Sequence, residues 1–117
     1  MKKTLYHYRA IVTKVYDGDT CTVDIDLGLR AWLRGEKIRL RRINAPELRK
    51  ESREAGLRSR DFLRELILGK EIILETIKDR RGLYGRYLGE IWLLKDGQYV
   101  NINDIMVEQG YAVPLEY

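Results

Sequence analysis

From Thr20 to Leu27 the chain alternates with a period of two, Cys21, Val23 and Ile25 on one face and Thr20, Thr22, Asp24 and Asp26 on the other. That pattern describes an extended strand with one dry face and one wet face, and it is incompatible with a helix. A lone strand has no stability in water, so this one needs a partner. The partner lies just upstream. Tyr6 to Tyr16 alternates as well and carries the β-branched residues Ile11, Val12, Thr13 and Val15. Between them stands Asp17-Gly18-Asp19, turn chemistry in which a glycine is free to take a positive φ. An antiparallel hairpin is therefore fixed early, and the rest of the chain must cover its apolar face.

The remaining segments supply that cover. Gly28 to Gly35, with Leu29, Trp32 and Leu33, reads as a loop or distorted hairpin. A third strand starts at Lys37 with Ile38, Leu40 and Ile43 as its apolar residues, and it runs into a turn at Pro46. Glu51 to Leu68 is predicted helical, with Ala55, Phe62, Leu63, Leu66 and Ile67 on one face and Gly69 as its stop. Its many charges read as a solvated face with i,i+4 pairing. Glu71 to Ile77 and Arg86 to Leu94 are predicted strands, separated by a charged, glycine-containing turn from Asp79 to Gly85. Asn103 is placed to cap a short helix from Asp104 to Gln109, closed by Gly110. There is no repeat and no linker, so residues 1–117 form one domain. Three strands, a helix, two strands and a helix make a mainly β, α+β chain whose expected architecture is a small five-stranded barrel of the OB type.

Composition narrows the partners. The net charge is +4, and 14 of the 22 cations are arginine, which suits a phosphate-bearing polyanion. Cys21 is the single cysteine, so no intrachain disulfide can form, and its place in the alternation marks it as a small buried thiol. The first residues carry two lysines with no apolar run behind them. No signal peptide or membrane span is read, and the expected location is cytoplasmic.

Three stretches carry chemistry. In Lys37 to Glu47 a strand bearing Arg39, Arg41 and Arg42 enters a rigid turn bearing Asn44 and Glu47. Guanidinium offers a phosphate two parallel hydrogen bonds, and a nearby carboxylate can take a proton from water or reach a metal through water. Asp17-Gly18-Asp19-Thr20 holds two carboxylates in a tight turn, which suits a hard cation or simply a hairpin, with the Thr20 hydroxyl bonded within the turn. Tyr84-Gly85-Arg86 projects a further arginine from a strand start, with Tyr84 able to contact a phosphate or flank a base. Trp32, between Arg30 and Arg34, can stack on a base, cap the barrel or mediate self-association.

In this order and spacing the chain resembles the staphylococcal nuclease (thermonuclease) family, from about Tyr8 to Ala112. The matching pieces are Asp17-Gly18-Asp19-Thr20, Ile38-Arg39-Leu40, Ile43-Asn44-Ala45-Pro46-Glu47, Glu54-Ala55, Phe62-Leu63, Tyr84-Gly85-Arg86, and Asn103, Val107 and Gly110-Tyr111-Ala112. The look is closest to intracellular bacterial or phage members. The resemblance implies an OB barrel and a calcium-dependent phosphodiesterase that cleaves DNA or RNA with low sequence specificity and leaves 3′-phosphates. It implies Asp19, Asn44 and the Ala45 carbonyl as metal ligands, Arg39 and Arg86 as catalytic guanidiniums, Glu47 as the carboxylate at the attacking water, and Tyr84 as a substrate contact. Single strands are the expected partner, since an open OB surface takes extended strands. Two departures stand out. Asn44 replaces the usual second ligand carboxylate, which lowers the ligand charge. Leu83 stands where a lysine is frequent. A non-catalytic OB module binding nucleic acid or a protein is the rival reading. Tyr111 and Tyr117 can stack on a base or pack internally.

Overall fold

The computed structural model describes residues 6–81 and 85–115, with the backbone alone for 78–81. Five strands form the barrel. β1 (His7–Asp17), β2 (Thr20–Gly28) and β3 (Ala31–Leu40) make an antiparallel meander. Helix α1 (Arg53–Ile67) follows a two-residue strand, β4 (Ile43–Asn44). β5 (Glu71–Arg81) then pairs antiparallel with β1, and β6 (Tyr87–Lys95) pairs antiparallel with β5. Closure comes from a parallel contact between β6 and β3, with Ile38 opposite Tyr87 and Leu40 opposite Gly89. A parallel pair needs a long crossover, and α1 with β5 provides it. β7 (Gln98–Asn101) extends β6 as a hairpin, α2 (Ile102–Glu108) follows, and β8 (Val113–Pro114) pairs with β4. The closed five-stranded OB barrel with two helices matches the expected fold.

The alternation decides the core. Val12, Val23, Ile38, Leu40, Leu74 and Ile91 are fully buried inside the barrel, and Leu63 and Ile67 of α1 close one end. Cys21 is buried among them, and burial pushes its thiol up to about 12. Register shifts in β1 beside Val12/Lys14 and Val15/Asp17 bend it enough to belong to a closed sheet. No described helix is long and apolar enough to cross a membrane.

Two local expectations change, and one alternative is decided. Of the loop or distorted hairpin expected from Gly28 to Gly35, the structure shows the hairpin, with register shifts at Val23/Ile25 and Asp26/Gly28 and a turn at Leu29 and Arg30, φ 55 and 66. Such a turn normally announces itself with Asn or Gly at both central positions, and neither is present here. Gly18 does not take a positive φ. It is small because of space: a Cβ there would lie 1.9 Å from Ser59 Oγ and 2.7 Å from Ala45 Cβ. The cap of α2 is Asn101, whose side chain accepts from Asp104 N at 2.8 Å, and not Asn103. Asn103 is fully buried. It donates to Arg41 O and Gly89 O and accepts from Ile91 N, which ties α2 across the barrel closure.

Candidate active site

The acidic turn and the end of β3 meet at one end of the barrel. Thr20 pairs with Arg39 across β2 and β3, and Leu40 N donates to Asp19 O at 2.8 Å. Asp19 is buried, and each of its oxygens is engaged. Oδ1 accepts from the Thr20 hydroxyl at 3.0 Å, the turn-internal bond expected from the sequence, and Oδ2 accepts from Ala45 N at 2.9 Å. The second bond fastens the turn after β4 onto the β1–β2 turn. Gly18 allows it, because the same turn packs directly on Ala45 and on Ser59 of α1.

Arg39 lies against this pair. Its Nη2 is 3.5 Å from Asp19 Oδ2 and 3.4 Å from Asn44 Oδ1, while Nη1 donates to Leu40 O at 2.7 Å. With side-chain exposures of 13% for Arg39 and 9% for Asp19, little water screens the pair. Nε has no acceptor among the described residues, and no fully buried side-chain donor there lacks one, so Nε reaches solvent. The guanidinium is thus anchored at one end and open at the other.

The structure brings Asp19, Arg39, Asn44 and Ala45 together. Glu47 stands apart. Its carboxylate is exposed and pairs with the still more exposed Arg49, while its backbone carbonyl accepts from Ser52 Oγ at 2.8 Å. The same carbonyl touches α1, since a Cβ on Gly56 would lie 2.6 Å from it. Tyr84 lies outside the described residues. Arg86 sits just before β6 and lines a cleft of about 910 Å³ whose wall also includes Asp17, Thr20 and Leu48. Arg86 therefore opens onto the space beside the acidic turn. Asp24 does not: it serves the β2–β3 hairpin, accepting from Gly35 N and Arg34. Arg34 in turn covers Trp32 at 4.6 Å. Tyr111 packs on Phe62 with ring centroids 4.2 Å apart.

Asp17 is the other carboxylate of the turn. Its Oδ1 accepts from Asp19 N at 3.0 Å. Burial and the neighbouring Asp19 charge push its carboxyl up to about 6. Two carboxylates, a hydroxyl and an amide oxygen within one turn and its neighbour form an all-oxygen donor set of the kind a hard cation takes. The mutual repulsion of Asp17 and Asp19 is what such a cation would relieve. No cluster of three or more His, Cys, Asp or Glu residues at ligand spacing occurs among the described residues, so any site here draws on the Asn44 amide or backbone carbonyls.

The family model described as "Staphylococcal nuclease homologue" matches residues 37–117, well over half of the chain. The chain belongs to the staphylococcal nuclease family. Two curated relatives are similar to the chain. A micrococcal nuclease of Shigella flexneri is 35% identical over 94% of this chain and 60% of its own length. An uncharacterized protein of Methanocaldococcus jannaschii is 28% identical over 91% of this chain and 58% of its own. The chain thus spans about three fifths of the relatives it matches. Within the staphylococcal nuclease fold described above, the piece that sequence reading missed is the cleft wall. Lys14 and Lys37 lie in register across Thr22, and Arg60 and Arg64 lie one helical turn apart. Their signal was the cross-strand pairing, which a one-dimensional reading does not contain.

Proposed function

We propose that this chain is a divalent-cation-dependent nuclease, using calcium by preference, that hydrolyses phosphodiester bonds in DNA or RNA with low sequence specificity. The observation that carries the reading is Arg39. A guanidinium held by Asp19 and Leu40 O, with Nε open, is preorganised for a phosphate oxygen at no cost of reorganisation. Arg86, which lines the cleft with Asp17 and Thr20, offers a second. Attack by water on phosphorus places extra negative charge on the non-bridging oxygens, and both arginines bind that charge more tightly than the ground state.

Glu47 is the proton acceptor in this reading. Its only charged partner among the described residues is the exposed Arg49, so its carboxylate is free to turn toward the cleft. Water loses a proton to Glu47 as its oxygen bonds to phosphorus. The bond from phosphorus to the 5′ oxygen breaks, that oxygen takes a proton from solvent, and a 3′-phosphate and a 5′-hydroxyl remain. Asp19, Asn44 and the Ala45 carbonyl are the residues that would hold the cation, with Asp17 beside them. Bound there, it would add positive charge next to the phosphoryl oxygens. The amide of Asn44 keeps an oxygen but gives up a charge, so affinity is expected to be lower than with two carboxylate ligands. Tyr84 completes the reading as a contact to a neighbouring phosphate.

The test is cleavage of a fluorescent single-stranded DNA with calcium and with chelator, beside Glu47→Gln and Arg39→Lys proteins of verified melting temperature. Calcium-dependent cleavage that falls about 100-fold or more in each variant is expected. The Asn44 amide favours one rival, a non-catalytic OB module that binds nucleic acid. Salt-sensitive binding with no cleavage in calcium, magnesium or manganese would establish that rival instead.

A further inference from the structure

The cleft beside the candidate site has a makeup that the hydrolytic step does not use. Its floor is the outer face of β1, β2 and β3. Lys14 pairs with Thr22, and Thr22 with Lys37, so the two lysines flank one threonine in a single cross-strand row, about 10 Å apart. Lys37 and Arg39 are two residues apart on one strand, hence on the same face and about 7 Å apart. The lysine row thus lies one ladder step from the row that holds Arg39 and Thr20. The facing wall is α1, which lines the cleft with Arg60 and Arg64 on successive turns. Arg64 reaches Val15 O at 3.4 Å, and Arg60 pairs with Asp61 outside the cleft. Lys14 and Lys37 are exposed and have no ionic or hydrogen-bond partner among the described residues. With Arg86 the lining counts five cations against one carboxylate, Asp17.

Solvated faces usually mix signs, as α1 does where Arg58 meets Glu54 at 3.2 Å. Cations gathered on two sides of a concave surface repel each other, and a bound polyanion would relieve that repulsion. One more liner completes the chemistry. Tyr16, 66% exposed, presents a ring at the edge of the same cleft between Lys14 and Asp17. A charged groove with an exposed aromatic ring is the combination that holds single-stranded nucleic acid, phosphates on the cations and a base on the ring.

We propose that Lys14, Lys37, Arg60 and Arg64, with Tyr16, form a track for a single strand of nucleic acid that continues from the phosphate at Arg39. The inference rests on the nuclease reading for its direction, but its binding test does not need cleavage. The lysines sit one ladder step from Arg39, so they meet a phosphate next to the reacting one. The helix arginines meet those beyond it. Tyr16 stacks on a base. A track of this kind favours long substrates over dinucleotides without recognising sequence.

The test measures anisotropy of a fluorescein-labelled oligothymidylate, in chelator, over a series of potassium chloride concentrations. The variants are Lys14→Gln/Lys37→Gln and Arg60→Gln/Arg64→Gln. The control is Arg30→Gln/Lys95→Gln, which removes the same charge from exposed residues outside the cleft. Each cleft pair is expected to weaken binding about 10-fold and to make the salt slope shallower by about 1.4, since each phosphate contact on a single strand contributes about 0.7. Tyr16→Leu is expected to weaken binding and leave the slope alone. Equal losses in cleft and control proteins would overturn the track, as would a duplex that competes as well as the single strand. In calcium, the kcat/KM advantage of the oligothymidylate over thymidylyl-thymidine is expected to fall about 10-fold in the cleft variants. Equal falls on both substrates would move these residues to the reacting phosphate and refute the track. A protein that binds through the cleft but cleaves neither substrate would refute the nuclease reading and leave the track standing.

Discussion

Gly18→Ala is the sharpest test of how the acidic turn is seated. The added Cβ would stand 1.9 Å from Ser59 Oγ, 2.9 Å from Ser59 Cβ and 2.7 Å from Ala45 Cβ. Ala45 belongs to the turn fastened by Asp19, and Ser59 is a buried α1 residue whose hydroxyl donates to Tyr111 O at 2.8 Å. Neither neighbour is the far end of a flexible side chain. Overpacking of this kind costs about 1–3 kcal/mol. Turning the Ser59 hydroxyl aside forfeits its hydrogen bond, worth about 1 kcal/mol. The expected loss is therefore about 2–4 kcal/mol, a large share of the roughly 5–15 kcal/mol that holds a typical domain. Urea unfolding followed by tryptophan fluorescence measures it, and an unchanged slope would show that the unfolded state is not what moved. Ser59→Gly removes two of the three clashes, so the double variant is expected to be about 1–2 kcal/mol more stable than the sum of the single losses. A Gly18→Ala protein within about 0.5 kcal/mol of the parent, or strict additivity with Ser59→Gly, would refute the close approach of turn and helix.

Two further predictions concern other joints. Asn103→Ala strands Ile91 N–H and Arg41 O in the closure of the barrel and is expected to cost about 2–4 kcal/mol in the same urea assay, whereas a surface loss below 0.5 kcal/mol would deny the cross-barrel role. Asp26 is held below the usual carboxylate range, first by the Arg9 guanidinium at 2.6 Å and then by Gly28 N–H. A depressed folded pKa contributes stability that is present above the unfolded value and lost as pH falls through the folded one. The parent is therefore expected to lose more stability than Asp26→Asn between about pH 4 and pH 2, and parallel pH profiles would count against the Arg9 pairing.

How much of this was legible depended on whether the signal was local. The first two strands of the meander, the end of β3 from Lys37, the α1 helix and the stop at Gly69 were readable because period, β-branching and a left-handed glycine act within a few residues. The turn at Leu29-Arg30 was not, because its geometry is imposed by the strands it joins and not by its own residue types. Asn101 and Asn103 show the same divide. Both are asparagines at the start of α2, and either could cap it by sequence. The barrel decides, since the buried one faces Arg41 O, Gly89 O and Ile91 N, partners that lie twelve or more residues away.

The candidate site follows the same rule with a different consequence. Asp19, Arg39 and Asn44 were singled out by residue type and Ala45 by the family resemblance, and the fold draws them to one point through Ala45 N–H on Asp19 and Arg39 beside both side chains. What holds them there was invisible in one dimension. Gly18 looked like a glycine chosen for its dihedral freedom and is a glycine chosen for its missing Cβ. Gly56, inside a helix where glycine is costly, lets α1 touch the Glu47 carbonyl and so sets where that carboxylate begins. Lys14, Lys37, Arg60 and Arg64 read as ordinary solvated charges because each is unremarkable in its own element. Only the ladder of β1, β2 and β3 and the closeness of α1 turn four scattered cations into one concave surface. The candidate residues are conspicuous by type, whereas those that make room for them or line the cleft beside them are defined by what the fold sets next to them.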